Sequence, residues 1–201
     1  DMRFFLNQLG VEYFEALCSL KRATGQESEE QLASGWTIFE TENNLLLTSS
    51  TASGKTEAAF FPILADLYEN PPQSVGALYI APLKSLINDQ FERIDSLLRD
   101  SGIPVFHWHG DVSQSQKKKL LSEPSGILQI TPESLESILI NRSNDIYRLF
   151  ANLKYIVLDE IHTLTSTDRG NQIIACMRRN NAHNNQYRLY FKTYRKKRNH
   201  I

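Results

Sequence analysis

The chain has 201 residues, 41% hydrophobic and 22% charged, which suits one α/β domain with a real core. Cys18 and Cys176 lie far apart and form no CxxC, so neither a disulfide framework nor a zinc site is suggested, and no apolar stretch approaches the roughly 18 residues of a membrane helix. The net charge of −1 hides an asymmetry: nine of the 22 basic residues lie between Arg169 and Ile201 with no acid, against 13 basic and 23 acidic residues upstream.

A tail of that charge either touches phosphates or is simply a solvated end. Asp1–Leu6 shows neither a long apolar core nor a small-residue cleavage site, so no signal peptide is expected. A reduced, cytoplasmic setting fits.

Taken in order, Phe5, Leu6, Leu9, Tyr13, Phe14 and Leu17 recur near helical spacing and predict a helix within 1–24. Gly25 to Glu30 reads as a loop, and Gln31 to Phe39 as a helix leading to the first strand, with Trp36 in the core. Leu45–Thr48 is a short buried strand, followed by a helix over Lys55–Tyr68 that Pro62 kinks and Asn70-Pro71-Pro72 stops. Val75–Ile80 is the second strand, and Leu83–Arg99 a strongly amphipathic helix ended by Ser101-Gly102.

Pro104–Trp108 is the third strand, and Gln114–Leu121 a short basic-faced helix. Ile127–Thr131 is the fourth strand, with Pro132 opening a helix over Glu133–Ile140 and a further short helix over Asp145–Leu149. Tyr155–Asp159 is the fifth strand, and Asn171–Arg178 begins a last helix. Strands alternating with helices predict an α/β fold: a mostly parallel sheet in three layers, with helices on both faces. Uninterrupted runs such as Leu45-Leu46-Leu47 and Tyr155-Ile156-Val157-Leu158 fit burial on both faces.

Two segments carry the chemistry. Ser49-Ser50-Thr51-Ala52-Ser53-Gly54-Lys55-Thr56 follows the first strand and opens a helix. Residues 51–56 supply a loop whose backbone N–H groups, backed by a helix N-terminus, suit a phosphate chain. Lys55 pairs with its β- and γ-phosphates, and the Thr56 hydroxyl ligates Mg2+. Ser49 stands where this motif has its first Gly, and Ala52 where a second Gly is usual; Ala52 needs a backbone angle that alanine tolerates.

The fifth strand delivers Asp159-Glu160 to the edge where open α/β sheets bind ligands. Asp159 is assigned to the magnesium, and Glu160 to orienting and deprotonating a water. The pair of motifs, in this order, points to ATP and Mg2+.

These motifs resemble the first RecA-like domain of superfamily 2 DEAD/DEAH-box helicases. Asp159-Glu160-Ile161-His162 with Arg169-Gly170 downstream looks most like the Lhr-like branch. Ile80-Ala81-Pro82-Leu83-Lys84 through Gln90, His109-Gly110-Asp111 followed by Lys117-Lys118-Lys119, and Thr131-Pro132-Glu133-Ser134-Leu135 are similar to the family's nucleic-acid-contact motifs. The resemblance covers about residues 40–178 and implies a RecA-like P-loop domain over 41–179, an N-terminal helical segment over 1–40 and a basic tail over 180–201.

It also implies single-strand contacts at Pro82, Leu83, Lys84, Gly110, Thr131 and Pro132, DNA being favoured over RNA. By the same resemblance His162 couples the nucleotide to the strand, and Gln31, about two dozen residues before Lys55, selects adenine. Each strand contact has a plainer reading as a turn or cap, and Thr131-Pro132 is also a good helix start.

The family's next strand carries Ser-Ala-Thr, whereas here the corresponding region reads Tyr187-Arg188-Leu189-Tyr190-Phe191-Lys192-Thr193-Tyr194. No second RecA-like domain is present in these 201 residues, so hydrolysis by the chain alone is expected to be weak unless a partner supplies that domain. The expected function is therefore the ATP-binding domain of a helicase. The alternatives are a non-catalytic nucleotide- and nucleic-acid-binding module, or a small-molecule P-loop kinase.

Overall fold

The computed structural model describes residues 13–17, 44–49, 55–98, 102–164, 167–168, 170–171, 173 and 188–194. Seven strands form one sheet in which every pairing is parallel: β1 (Tyr13–Leu17), β2 (Asn44–Ser49), β3 (Ala77–Ile80), β4 (Val105–Trp108), β5 (Ile127–Ile130), β6 (Tyr155–Leu158) and β7 (Arg188–Tyr194). The helices are α1 (Lys55–Glu69), α2 (Lys84–Leu98), α3 (Gln114–Ser122), α4 (Pro132–Asn141), α5 (Ser143–Phe150) and α6 (Ile161–Leu164). Spatial order across the sheet is β1-β2-β7-β6-β3-β5-β4.

The strands β3, β5 and β6 are short and buried, apolar but for Tyr79 and Gln129, and their apolar side chains divide between two cores by the two-residue period of a strand. One core joins Leu78, Ile80, Leu128, Ile130, Ile156 and Leu158 to residues of α3–α6. The other joins Ala77, Tyr79, Ile127, Tyr155 and Val157 to Ala59, Phe60, Ile63 and Leu67 of α1 and to Ile87, Ile94 and Leu98 of α2. Each fully buried aliphatic or aromatic side chain contributes about 1.5–3 kcal/mol. The result is the three-layer α/β architecture expected from the alternation of elements.

Most elements fall within two residues of their predicted bounds. α1 is continuous through Pro62 to Glu69, where the Asn70 N–H closes on the Asp66 carbonyl at 2.8 Å. Thr131 caps α4: its Oγ1 accepts from the Ser134 N–H, with Pro132 in the first turn.

Two expectations are corrected. Residues 13–17, read as part of a helix, are a strand paired in register with β2, Phe14 opposite Leu45. Five residues of Tyr-Phe-Glu-Ala-Leu satisfy either period, and the neighbouring strand decides between them. Residues 188–194, read as part of a basic tail, are a strand inserted between β2 and β6, Phe191 facing Leu46 on one side and Leu158 on the other.

Candidate functional site

Because all pairings are parallel, the carboxyl ends of all seven strands share one edge, and the loops leaving β3, β4, β5 and β6 open there. That edge gathers the segments singled out in the sequence. β2 ends at Ser49 and α1 begins at Lys55, while β6 ends at Leu158 immediately before Asp159. In the sheet β7 lies between β2 and β6, so the end of β2 and the acidic pair stand one strand apart.

Thr51, Ala52, Ser53, Gly54 and Gln31 lie outside the described residues. Lys55 and Thr56 form the first turn of α1, and their side chains are likewise not described.

Asp159 is buried, and its N–H donates to the Ile80 carbonyl at 2.9 Å, prolonging the β3–β6 ladder by one step. Its Oδ1 accepts the N–H of Glu160 at 2.9 Å, and its Oδ2 accepts the hydroxyl of Tyr79. Tyr79 is fully enclosed; burial pushes its phenol well above the ordinary range, and the nearby Asp159 charge adds to that effect. Sequence reasoning missed Tyr79, although a tyrosine inside the apolar run Ala77–Ile80 was a visible signal.

Glu160 has φ 48°, in the left-handed region that a glutamate rarely enters. Its carbonyl accepts both the N–H and the hydroxyl of Thr163, each at 2.8 Å, which locks the turn into α6. The turn carries the Glu160 carboxylate out of the sheet, half-buried, where His162 Nδ1 lies 3.3 Å from its Oε2. The acid assigned to water and the histidine assigned to coupling are therefore in direct contact.

The six expected strand contacts divide by exposure. Leu83 (53% exposed), Lys84 and Gly110 face solvent, whereas Pro82, Thr131 and Pro132 are buried and shape their loops. Lys84 donates to both oxygens of Asp111, at 2.9 and 3.0 Å, tying the loop after β3 to the loop after β4.

Behind that pair, buried His109 places Nε2 3.0 Å from Asn88 Oδ1 and accepts the Asp111 N–H at Nδ1. Those two partners assign the neutral tautomer with the proton on Nε2. Burial also lowers the affinity of His109 for a second proton, an effect that Asp111 opposes and Lys84 and Lys117 reinforce.

The donor set at Asp159 suits a hard cation: a carboxylate oxygen accepts from more than one partner, so the Tyr79 and Glu160 hydrogen bonds are compatible with a cation or its water. Among the described residues no three His, Cys, Asp or Glu side chains gather as a metal site, and no helix is long and apolar enough to cross a membrane.

The DEAD/DEAH box helicase family model matches residues 29–193. Similar curated proteins include the activating signal cointegrator 1 complex subunit 3-like protein of Dictyostelium discoideum, 36% identical over 148 residues, 69% of this chain and 6% of that protein. ATP-dependent helicase Lhr-Core of Saccharolobus solfataricus is 34% identical over 149 residues, 67% of this chain and 17% of that protein. The chain thus spans a small part of the length of these relatives.

Among solved structures, the DUF1998 helicase MrfA bound to DNA matches with TM-score 0.73 and 26% identity, over 87% of this chain and 25% of that one. Mycobacterium smegmatis helicase Lhr bound to ssDNA and AMP-PNP matches with TM-score 0.69 and 26% identity, over 81% and 22%. The chain belongs to the DEAD/DEAH box helicase family, and its Lhr-Core relatives and Lhr and MrfA structural neighbours put it with the Lhr-like branch.

Proposed function

We propose that the chain is the ATP-binding first RecA-like domain of a nucleic-acid helicase, working in the cytoplasm with a second such domain. The proposed extent of the domain is 41–179, extended by β7. The observation that carries this reading is the placement of Asp159-Glu160 one strand from the end of β2, which precedes Lys55, on the same sheet edge.

Residues 51–54 and the start of α1 hold the phosphates, and Lys55 pairs with the terminal ones. The Thr56 hydroxyl and Asp159 would hold magnesium, a hard cation suited to oxygen ligands. Magnesium supplies charge neutralisation on the transferred phosphoryl group. Glu160 orients the attacking water and accepts its proton, and His162, in contact with Glu160, passes the nucleotide state to the strand-binding loops. Gln31 is assigned to adenine.

Leu83, Lys84 and Gly110 are positioned by exposure to meet a single strand directly, while Pro82, Thr131 and Pro132 fix the loops that present them. Backbone contacts of this kind do not read sequence. DNA is favoured because the MrfA and Lhr structures that resemble this chain were solved with DNA.

Hydrolysis in two-domain machines of this kind draws on transition-state charge stabilisation from the other domain, worth about 10³–10⁵ in rate for an arginine finger. The chain alone is therefore expected to bind nucleotide and strand but to turn over slowly.

The test is ATP hydrolysis by the purified chain, with and without single-stranded DNA, beside Lys55→Ala. Slow turnover that is lost in Lys55→Ala fits the proposal. Strand-stimulated turnover at the level of an intact helicase would overturn the dependence on a second domain. A binding module without catalysis predicts oligonucleotide binding with no turnover at all, and a small-molecule kinase predicts no oligonucleotide binding.

A further inference from the structure

Tyr79 is fully buried on the face of the sheet covered by α1 and α2, among Ala59, Phe60, Ile63 and Val157. A phenylalanine would fill that space without burying a hydroxyl, and a buried hydroxyl is costly unless it is hydrogen-bonded. Here the hydroxyl has a specific partner. Tyr79 pairs in register with Val157, two residues before Asp159, and its phenol reaches along the strand direction to donate to Asp159 Oδ2.

The other oxygen of Asp159 accepts the Glu160 N–H at 2.9 Å. The carboxylate is thus held from two directions, by its own turn and by the neighbouring strand. The Tyr79 ring also meets α1, with the Phe60 ring centroid 5.7 Å away and the planes tilted by 48°. Phe60 lies one helical turn beyond Thr56, so a single side chain touches the acid of β6 and the helix that Lys55 and Thr56 open.

We propose that Tyr79 is a positioning residue of the nucleotide site. Its hydroxyl fixes the rotation of the Asp159 carboxylate, and its ring braces α1, so that acid and helix start keep the separation a magnesium–nucleotide complex must span. The proposal rests on the nucleotide-binding reading above. It places Tyr79 among the outer partners of a metal ligand, whose removal weakens metal binding by about 10–100-fold.

The test is Mg2+ titration of the binding of a fluorescent ATP analogue to the full chain, followed by fluorescence, for wild type, Tyr79→Phe, Asp159→Asn and the double variant. Circular dichroism melting is recorded for each. The expected result is a Mg2+ midpoint raised about tenfold in Tyr79→Phe, with nucleotide affinity in EDTA unchanged. In the Asp159→Asn background, adding Tyr79→Phe is expected to change nothing further, because Tyr79 acts through that carboxylate.

An unchanged midpoint in Tyr79→Phe would overturn the proposal. So would an equal loss in both backgrounds, which is what a packing role alone would produce. Nucleotide binding that is absent in wild type, or equal in wild type and Lys55→Ala, would instead overturn the nucleotide reading itself.

Discussion

Lys84 Nζ lies 2.9 and 3.0 Å from the two carboxylate oxygens of Asp111, so the lysine assigned to a nucleic-acid backbone already holds an anion. Both side chains are exposed, at 50% and 70%. The hydrogen bonds and charge of Lys84 keep the Asp111 carboxyl below its ordinary range. An exposed pair of this kind exchanges readily with solvent ions.

A strand phosphate that takes Lys84 must displace Asp111. Asp111→Asn is therefore expected to tighten single-stranded DNA binding roughly threefold, mainly through association rate. Lys84→Ala is expected to weaken binding and to lower the slope of log K against log salt by about 0.7, the loss of one phosphate contact. Fluorescence anisotropy over a NaCl series checks both, and an unchanged slope in Lys84→Ala would remove Lys84 from the interface.

Glu160, at φ 48°, stores local strain at the acid assigned to water. Asparagine tolerates that region and a β-branched residue does not. Glu160→Asn is expected to stabilise the fold by about 0.5 kcal/mol and Glu160→Val to destabilise it by about 1–2 kcal/mol. Urea denaturation measures both changes. Neither variant is expected to weaken nucleotide binding by more than a few-fold, since the proposed phosphate site is assigned to residues 51–55.

The alternation of apolar runs with amphipathic helices made the central sheet readable, because β3, β5 and β6 are buried on both faces and need continuous apolar sequence. Two strands were not legible: β1 at one edge and β7 inside the sheet, between β2 and β6. Tyr13–Leu17 is too short for its period to be decisive, and in Arg188-Leu189-Tyr190-Phe191-Lys192-Thr193-Tyr194 the basic residues break up the continuous apolar run that marks a buried strand. Asp159, Glu160 and Lys84 were visible because their motifs are local in sequence. Their partners Tyr79 and Asp111 come from neighbouring loops and strands, and only the sheet register brings them together.

His107 and His109 both bind protons less readily than an ordinary histidine near 6.5, burial being the first cause in each case. The unfolded chain therefore takes up protons first as the pH falls. Their contribution to stability is present above about 6.5 and is lost as the pH drops from there through the lower folded values. His109→Gln removes one titrating ring while leaving an amide that can still meet Asn88. It is expected to flatten the decline in the urea midpoint between about pH 6.5 and 5. A decline identical to wild type would contradict this assignment.

Gly126 precedes β5 with φ 63°, and a Cβ there would lie 2.0 Å from the Pro104 carbonyl oxygen. That oxygen accepts the Ile127 N–H at 3.0 Å, so it cannot retreat without breaking the β4–β5 approach. Gly126→Ala is expected to cost about 3 kcal/mol, combining backbone strain with a backbone clash. Gly102 has φ 73° but open space around it, so Gly102→Ala is expected to cost only about 1 kcal/mol. Paired thermal melts of the two variants test the contrast.

Every role assigned above depends on a single nucleotide site shared by the β2–α1 segment and Asp159. Its most direct test is calorimetric titration of the chain with a non-hydrolysable ATP analogue and Mg2+, in parallel with Lys55→Ala and Asp159→Asn. The expected result is one site per chain in wild type, binding abolished by Lys55→Ala, and loss of the Mg2+ dependence in Asp159→Asn. Equal binding by all three proteins, or none by wild type, would contradict it.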